Sequence, residues 1–205
     1  MLFRSVTNRA INFYNQGLEQ LKLGEYYNAI ELFDKSLAIN PHYKEPLMMT
    51  ALSYLKLGEL DEAQAYIELT KQYTEDDINL LVIEARIDII KGNFDSAETV
   101  LNEIKKIEPK NVEAKLLSAE LAIAKGNTTE SLDLYREVLT RKPENKTALL
   151  ALIIMNSTGV ESESTELLIE TVLQYHWEDP QVHLVAARYY LNTLELQKAE
   201  TFARN

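Results

Sequence analysis

Four glycines stand 34 residues apart in this chain, at Gly24, Gly58, Gly92 and Gly126. Each closes one amphipathic stretch and opens another: KLGEYYNAIELF, KLGELDEAQAYI, IKGNFDSAETVL and AKGNTTESLDLY. Pro41, Pro109 and Pro143 keep the same period, and the missing member falls on Glu75, so the length survives where the residue does not. A period of that size marks stacked helix–turn–helix units rather than one compact core. In such an array each unit contacts only its neighbours, and the stack offers a long surface to another chain.

With Gly24 at position 15, the units run 10–43, 44–77, 78–111, 112–145 and 146–179, with a partial unit at 180–205. Position 8 is small in Gly17, Ala51, Ala85 and Ala119, and position 20 in Ala29, Ala63, Ala97 and Ser131. Small residues at these two places let paired helices approach closely. Position 24 is large: Phe33, Ile67, Leu101 and Tyr135. Position 32 holds the prolines, which cannot continue the second helix. In the fifth unit Gly159 sits one place early, and Thr165 or Ser164 takes the small position. Its turn, GVESESTELL, offers Ser162 or Ser164 as a helix cap. The sixth opens on Asp179-Pro180, a cap followed by proline at the first helical position. It supplies Ala187 and Ala199 at the small positions and stops inside its second helix. Leu2, Phe3 and Val6 extend the first helix or form a partial cap.

This pattern resembles the tetratricopeptide repeat (TPR) over about residues 10–145, with two weaker units after it. The resemblance implies an all-α, right-handed α-solenoid of antiparallel helix pairs, one array over 1–205. The expected helices cover 10–23, 25–40, 44–57, 59–73, 78–91, 93–107, 112–125, 128–141, 146–157, 162–175, 180–192 and 195–205.

The net charge is −11 and the pI about 4.8. Phosphate binding needs a basic footprint, so nucleic acid is excluded as the expected partner. The acidity keeps the chain soluble and favours a partner with basic flanks. With no cysteine there is neither a disulfide frame nor thiol chemistry. No apolar run reaches the roughly 18 residues of a membrane span. The start, MLFRSVTNRAINFY, lacks the apolar core and cleavage site of a signal peptide. The expected location is soluble: cytoplasmic, or periplasmic and envelope-associated where a signal or anchor has been removed.

Phosphate-loop, H-E-x-x-H, G-x-S-x-G and G-x-G-x-x-G signatures are all missing. The expectation is therefore no enzyme, no cofactor and no metal. His176 and His183 are separated by Pro180 and need not share a face, so they read as a turn histidine and a packing histidine. Glu84 and Asp88 lie four apart on one helical face, at positions that face the interior in the family. Lys115 in the next unit takes a place the family gives to a large apolar residue, and a structural pairing of Lys115 with one of these acids is expected. A buried charge left unpaired would be costly.

The resemblance also implies where a partner binds. In the family the first helix of each unit lines the concave face, chiefly through positions 2, 5, 9, 12 and 13. Here position 5 holds Tyr14, Met48, Val82 and Leu116; position 9 holds Leu18, Leu52, Arg86 and Glu120; position 12 holds Leu21, Leu55, Ile89 and Ile123. An apolar stripe of this kind marks an interaction site, unless winding buries part of it against neighbouring units. Lys22, Lys56 and Asn15 alone do not make the lysine–asparagine clamp that holds chaperone tails, because Tyr14, Leu18, Met48 and Leu52 stand where its other polar residues belong. The expected function is a scaffold that binds a protein segment with apolar anchors, in assembly of a bacterial envelope, pilus or secretion complex. The alternative is a docking arm for an enzyme domain C-terminal to this chain. Self-association through the C-terminal end, around Leu184, Leu191 and Phe202, fits either.

Overall fold

In the computed structural model every secondary-structure element is an α-helix among the described residues, which are 2–74, 77–157 and 164–204, with side chains from residue 8 onward. The helices are α1 (Leu2–Lys22), α2 (Tyr26–Ile39), α3 (Lys44–Leu57), α4 (Leu60–Lys71), α5 (Ile78–Lys91) and α6 (Phe94–Ile107). They continue as α7 (Val112–Ala124), α8 (Thr128–Arg141), α9 (Lys146–Ser157), α10 (Thr165–His176), α11 (Pro180–Asn192) and α12 (Leu196–Ala203). Each odd-numbered helix packs on the even-numbered helix that follows it. The result is the pairing of an antiparallel α-solenoid. The chain divides into two compact units, Met1–Pro109 with α1–α6 and Lys110–Asn205 with α7–α12.

The period is written into the backbone at three places. At the turn inside each pair, Gly24, Gly58, Gly92 and Gly126 adopt φ of 79–81°, the left-handed region where a Cβ is unwelcome. The amide of Gly58 bonds the Leu55 carbonyl and the next amide, Glu59, bonds Tyr54; the other three glycines repeat this closure. These bonds satisfy carbonyls that the helix end would otherwise orphan. At the end of each second helix, α2, α6 and α8 stop two residues before Pro41, Pro109 and Pro143. Proline pushes its predecessor out of the helical region, so the stop comes early. At the start of the first helices, the side chains of Asp77, Asn111, Asn145 and Asp179, again 34 apart, accept backbone amides of Asn79, Ala114, Ala148 and Gln181. Each is an N-cap.

The small positions do what their size allows. Ala29, Ala63, Ala97 and Ser131 are fully buried at the crossing of each pair, as are Ala51, Ala85 and Ala119 on the first helices. In the first pair the approach is close enough for Ser36 Oγ to donate to the Ala10 carbonyl at 2.8 Å. Phe33 is fully buried against Gly17. In the first unit one core joins Met48, Ala51 and Leu55 of α3 to Ala63 and Ile67 of α4 and to Leu80, Ile83 and Ile87 of α5. In the second unit a core runs from Leu116 through Tyr135, Leu149, Ile153 and Ile169 to Ala186 and Tyr190.

Two expectations are corrected. The first helix begins at Leu2 rather than near residue 10, so of the two readings of the N-terminal stretch the helix extension is the one observed; LFRSVTNR holds no proline or glycine to interrupt it. Ser164 takes the N-cap place of α10 but caps no amide; its hydroxyl donates to the Glu166 carboxylate at 3.1 Å. Ser162 and Gly159 lie outside the described residues.

Candidate functional site

The surface in question belongs to the first helix of each pair: α1, α3 and α5 in the first unit, α7, α9 and α11 in the second. On α1, Tyr14 is half-buried, its ring 5.4 Å from that of Tyr43 and 6.0 Å from that of Phe33. Leu18 and Leu21 follow it, also half-buried. On α3, Met48 and Leu55 are buried in the core shared with α5, while Leu52 stays half-exposed at its edge. On α5, Val82, Arg86 and Ile89 lie along one face and all three are half-buried. On α7, Leu116 is buried, Glu120 is half-buried and Ile123 is exposed.

Packing therefore consumes Met48, Leu55 and Leu116. What stays reachable on the first unit is Tyr14, Leu18, Leu21, Leu52, Val82, Arg86 and Ile89; on the second, Glu120 and Ile123. Position 5 faces the following first helix in α3, so its apolar character serves the core first. Three accessible residues escaped the sequence reading: Ile90 on α5, Ile154 on α9 and Arg188 on α11, all exposed. The same periodic numbering could have found the last two, since both sit at position 9.

Glu84 and Asp88 are buried, but neither meets Lys115, and that expectation is overturned. Lys115 pairs instead with Glu137 on α8. Glu84 accepts from Lys71 Nζ at 2.5 Å, which joins the last turn of α4 to α5. Burial alone would lower the Lys71 ammonium; the hydrogen bond and charge of Glu84, helped by Glu68 and Glu103, outweigh it and raise the group. Asp88 accepts from Ser96 Oγ at 2.6 Å and from Asn93 Nδ2 at 3.3 Å. It thereby fastens the turn between α5 and α6. Both acids hold joints between helices. On the second unit, burial and then the Glu120 charge push the Tyr135 phenol up to about 12.

The histidines bond backbone. His176 Nε2 lies 2.7 Å from the Glu144 carbonyl, and His183 Nε2 lies 2.6 Å from that of Trp177, whose ring it meets edge-on. Among the described residues no group of three or more His, Asp or Glu side chains is placed to hold a metal ion. No described helix is long and apolar enough to cross a membrane.

Two tetratricopeptide repeat family models match the chain, over residues 20–87 and 85–146. A tetratricopeptide repeat protein from Parabacteroides merdae has the same fold at 19% identity and a TM-score of 0.75, covering 94% of this chain and 75% of its own. A thermophilic TPR protein from Thermus thermophilus matches at 18% identity and a TM-score of 0.78, over 90% of this chain and 99% of its own. PilW, a type IV pilus biogenesis factor, matches at 12% identity and a TM-score of 0.76, over 94% of this chain and 90% of its own. At such identities the likeness is one of fold. No curated protein matches the chain in sequence.

Proposed function

Because this chain belongs to the tetratricopeptide repeat family and is a protein-interaction scaffold of that family, we propose that its first-helix faces bind an extended or helical segment of a partner protein. One observation carries the reading. Leu18, Leu21, Leu52, Val82 and Ile89 on successive first helices of one unit keep apolar surface open to solvent after packing is complete. Apolar surface left open in register is what docks a partner's apolar anchors. The partner segment carries such anchors, with basic flanks that answer a net charge of −11. Its setting is the assembly of a bacterial envelope, pilus or secretion complex, a reading supported by the likeness in fold to a pilus biogenesis factor.

The test places charge where an anchor docks. Leu52→Glu/Val82→Glu keeps its helical circular dichroism, since both side chains are half-exposed. Its affinity for a partner captured by the parent protein falls by about 2 kcal/mol or more, the loss typical of a failed central anchor. A folded double variant that binds with unchanged affinity moves the site off this face.

A further inference from the structure

We infer that α11 reads an acidic residue held between two apolar side chains of the partner. The inference rests on the reading of first-helix faces as the binding surface and gives that reading a chemistry. Leu184, Arg188 and Leu191 are spaced four and three apart, so they stand on one face of α11. Leu184 is 69% exposed and Leu191 56%, and Arg188 between them is exposed. Ile154, one 34-residue period before Arg188, is 42% exposed on α9, the helix against which α11 packs.

Arg188 has no ion-pair or hydrogen-bond partner among the described residues. Several acids of the last two helix pairs are engaged elsewhere: Asp179 with Lys146 at 2.6 Å, Glu195 with Lys198 at 2.6 Å, Glu200 with Arg204, and Glu166 with the Tyr189 hydroxyl at 2.9 Å. A chain with 32 acidic and 21 basic residues leaves this guanidinium uncommitted in the middle of an apolar stripe. Leucines on either side thin the water around it when a partner docks, and a carboxylate that arrives there gains a charge-assisted bond in a drier place. A guanidinium can grip such a carboxylate through two parallel N–H donors. Arginine is also among the residues that dominate binding when they sit at the centre of a contact. The residues before and after it select apolar groups, and Arg188 selects the charge between them. The overall acidity of the chain governs approach; this residue governs the contact itself.

The experiment uses the whole chain and three blocked synthetic peptides. Each is an amphipathic helix with two leucines seven residues apart; between them stands glutamate, glutamine or lysine. Fluorescence anisotropy reads the affinities. The glutamate peptide is expected to bind at least tenfold tighter than the lysine peptide, with glutamine between, and rising salt should narrow the gap. Arg188→Glu should reverse the order, and Arg188→Gln should make all three alike. Leu184→Ser/Leu191→Ser should weaken every peptide by a similar factor. Both leucines are exposed, so circular dichroism should stay unchanged in these variants. Charge-blind binding, or no binding, overturns the inference. A dimer that Leu184→Ser/Leu191→Ser converts to monomer, in a protein that ignores the peptides, overturns it in favour of a second copy on this face. If Leu52→Glu/Val82→Glu loses the captured partner while the peptides bind without regard to charge, this inference fails and the scaffold reading stands. If the peptides discriminate and that double variant binds normally, α11 stands and the first-unit site fails.

Discussion

A Cβ added at Gly17 would fall on the ring of Phe33, which is fully buried and packed beneath it. The ring cannot leave without opening the crossing of α1 and α2. Gly17→Ala is therefore expected to destabilise by about 1–3 kcal/mol, the usual range for overpacking. Denaturant titration checks this, and an unchanged midpoint would show that the pair can separate freely. At the other end Leu194 takes the place that glycine holds in four earlier units, with φ at 62°. Its amide bonds the Leu191 carbonyl and the Glu195 amide bonds Tyr190, the same closure the glycines make. A left-handed leucine costs about 1–2 kcal/mol. Glycine would remove that strain but lose roughly 0.5–1 kcal/mol to its greater freedom when unfolded. Leu194→Gly should thus raise stability modestly, by about 0.5–1 kcal/mol. Lower stability would mean that the leucine side chain contributes packing the turn needs.

Helices depend on the same economy of small contacts. Ala63→Leu is expected to cost about 1–3 kcal/mol, because α3 and α4 meet over a fully buried alanine. Ala187→Leu should cost less, since Ala187 is only half-buried on α11. Comparing the two melting temperatures checks the ranking. The junction into α11 carries a charge device. Asp179 accepts from Lys146 Nζ at 2.6 Å and from the Gln181 amide at 2.9 Å. The lysine bond first, then that amide, hold its carboxyl below the ordinary value of 3.8. A carboxyl lowered on folding stabilises above its unfolded value and loses that contribution as pH falls through the folded one. Lys146→Met should therefore melt lower than the parent at neutral pH, and the gap should close as the solution is acidified below pH 3.8. A gap that persists in acid would assign the effect to the lysine's methylenes.

For the whole molecule, period and punctuation made the helices readable. Gly58 ends α3 and Pro143 follows the end of α8 because φ > 0 and the lack of an amide are properties of single residues, visible without neighbours. Burial on the first helices was not readable in the same way. Met48 and Leu52 are alike in sequence, yet one enters the core with Leu80 and Ile83 and the other stays half-exposed, because packing and recognition draw on adjacent positions of one helix. The partner of Glu84 was hidden for a related reason. Lys71 reaches it from the last turn of the preceding helix, and nothing in its own repeat marks that reach. Leu194 escaped the sequence reading, although it falls at position 15 of the sixth unit and counting the period would have placed the turn there.

Because within each unit a helix pair packs mainly on its sequence neighbours, stability should be local. Ile169 on α10 is fully buried in the second unit's core. Ile169→Ala should cost about 2–5 kcal/mol at that site, through lost burial and the cavity left behind. In a compact single core the whole structure would feel that cost as one. In a stack, the loss passes along the chain only as far as nearest-neighbour contacts carry it. Native-state hydrogen exchange read by mass spectrometry should show α9–α12 exchanging faster in the variant. Protection in α1–α4 should match that of the parent protein. An equal loss of protection from α1 to α12 would mean that the pairs unfold as one cooperative body.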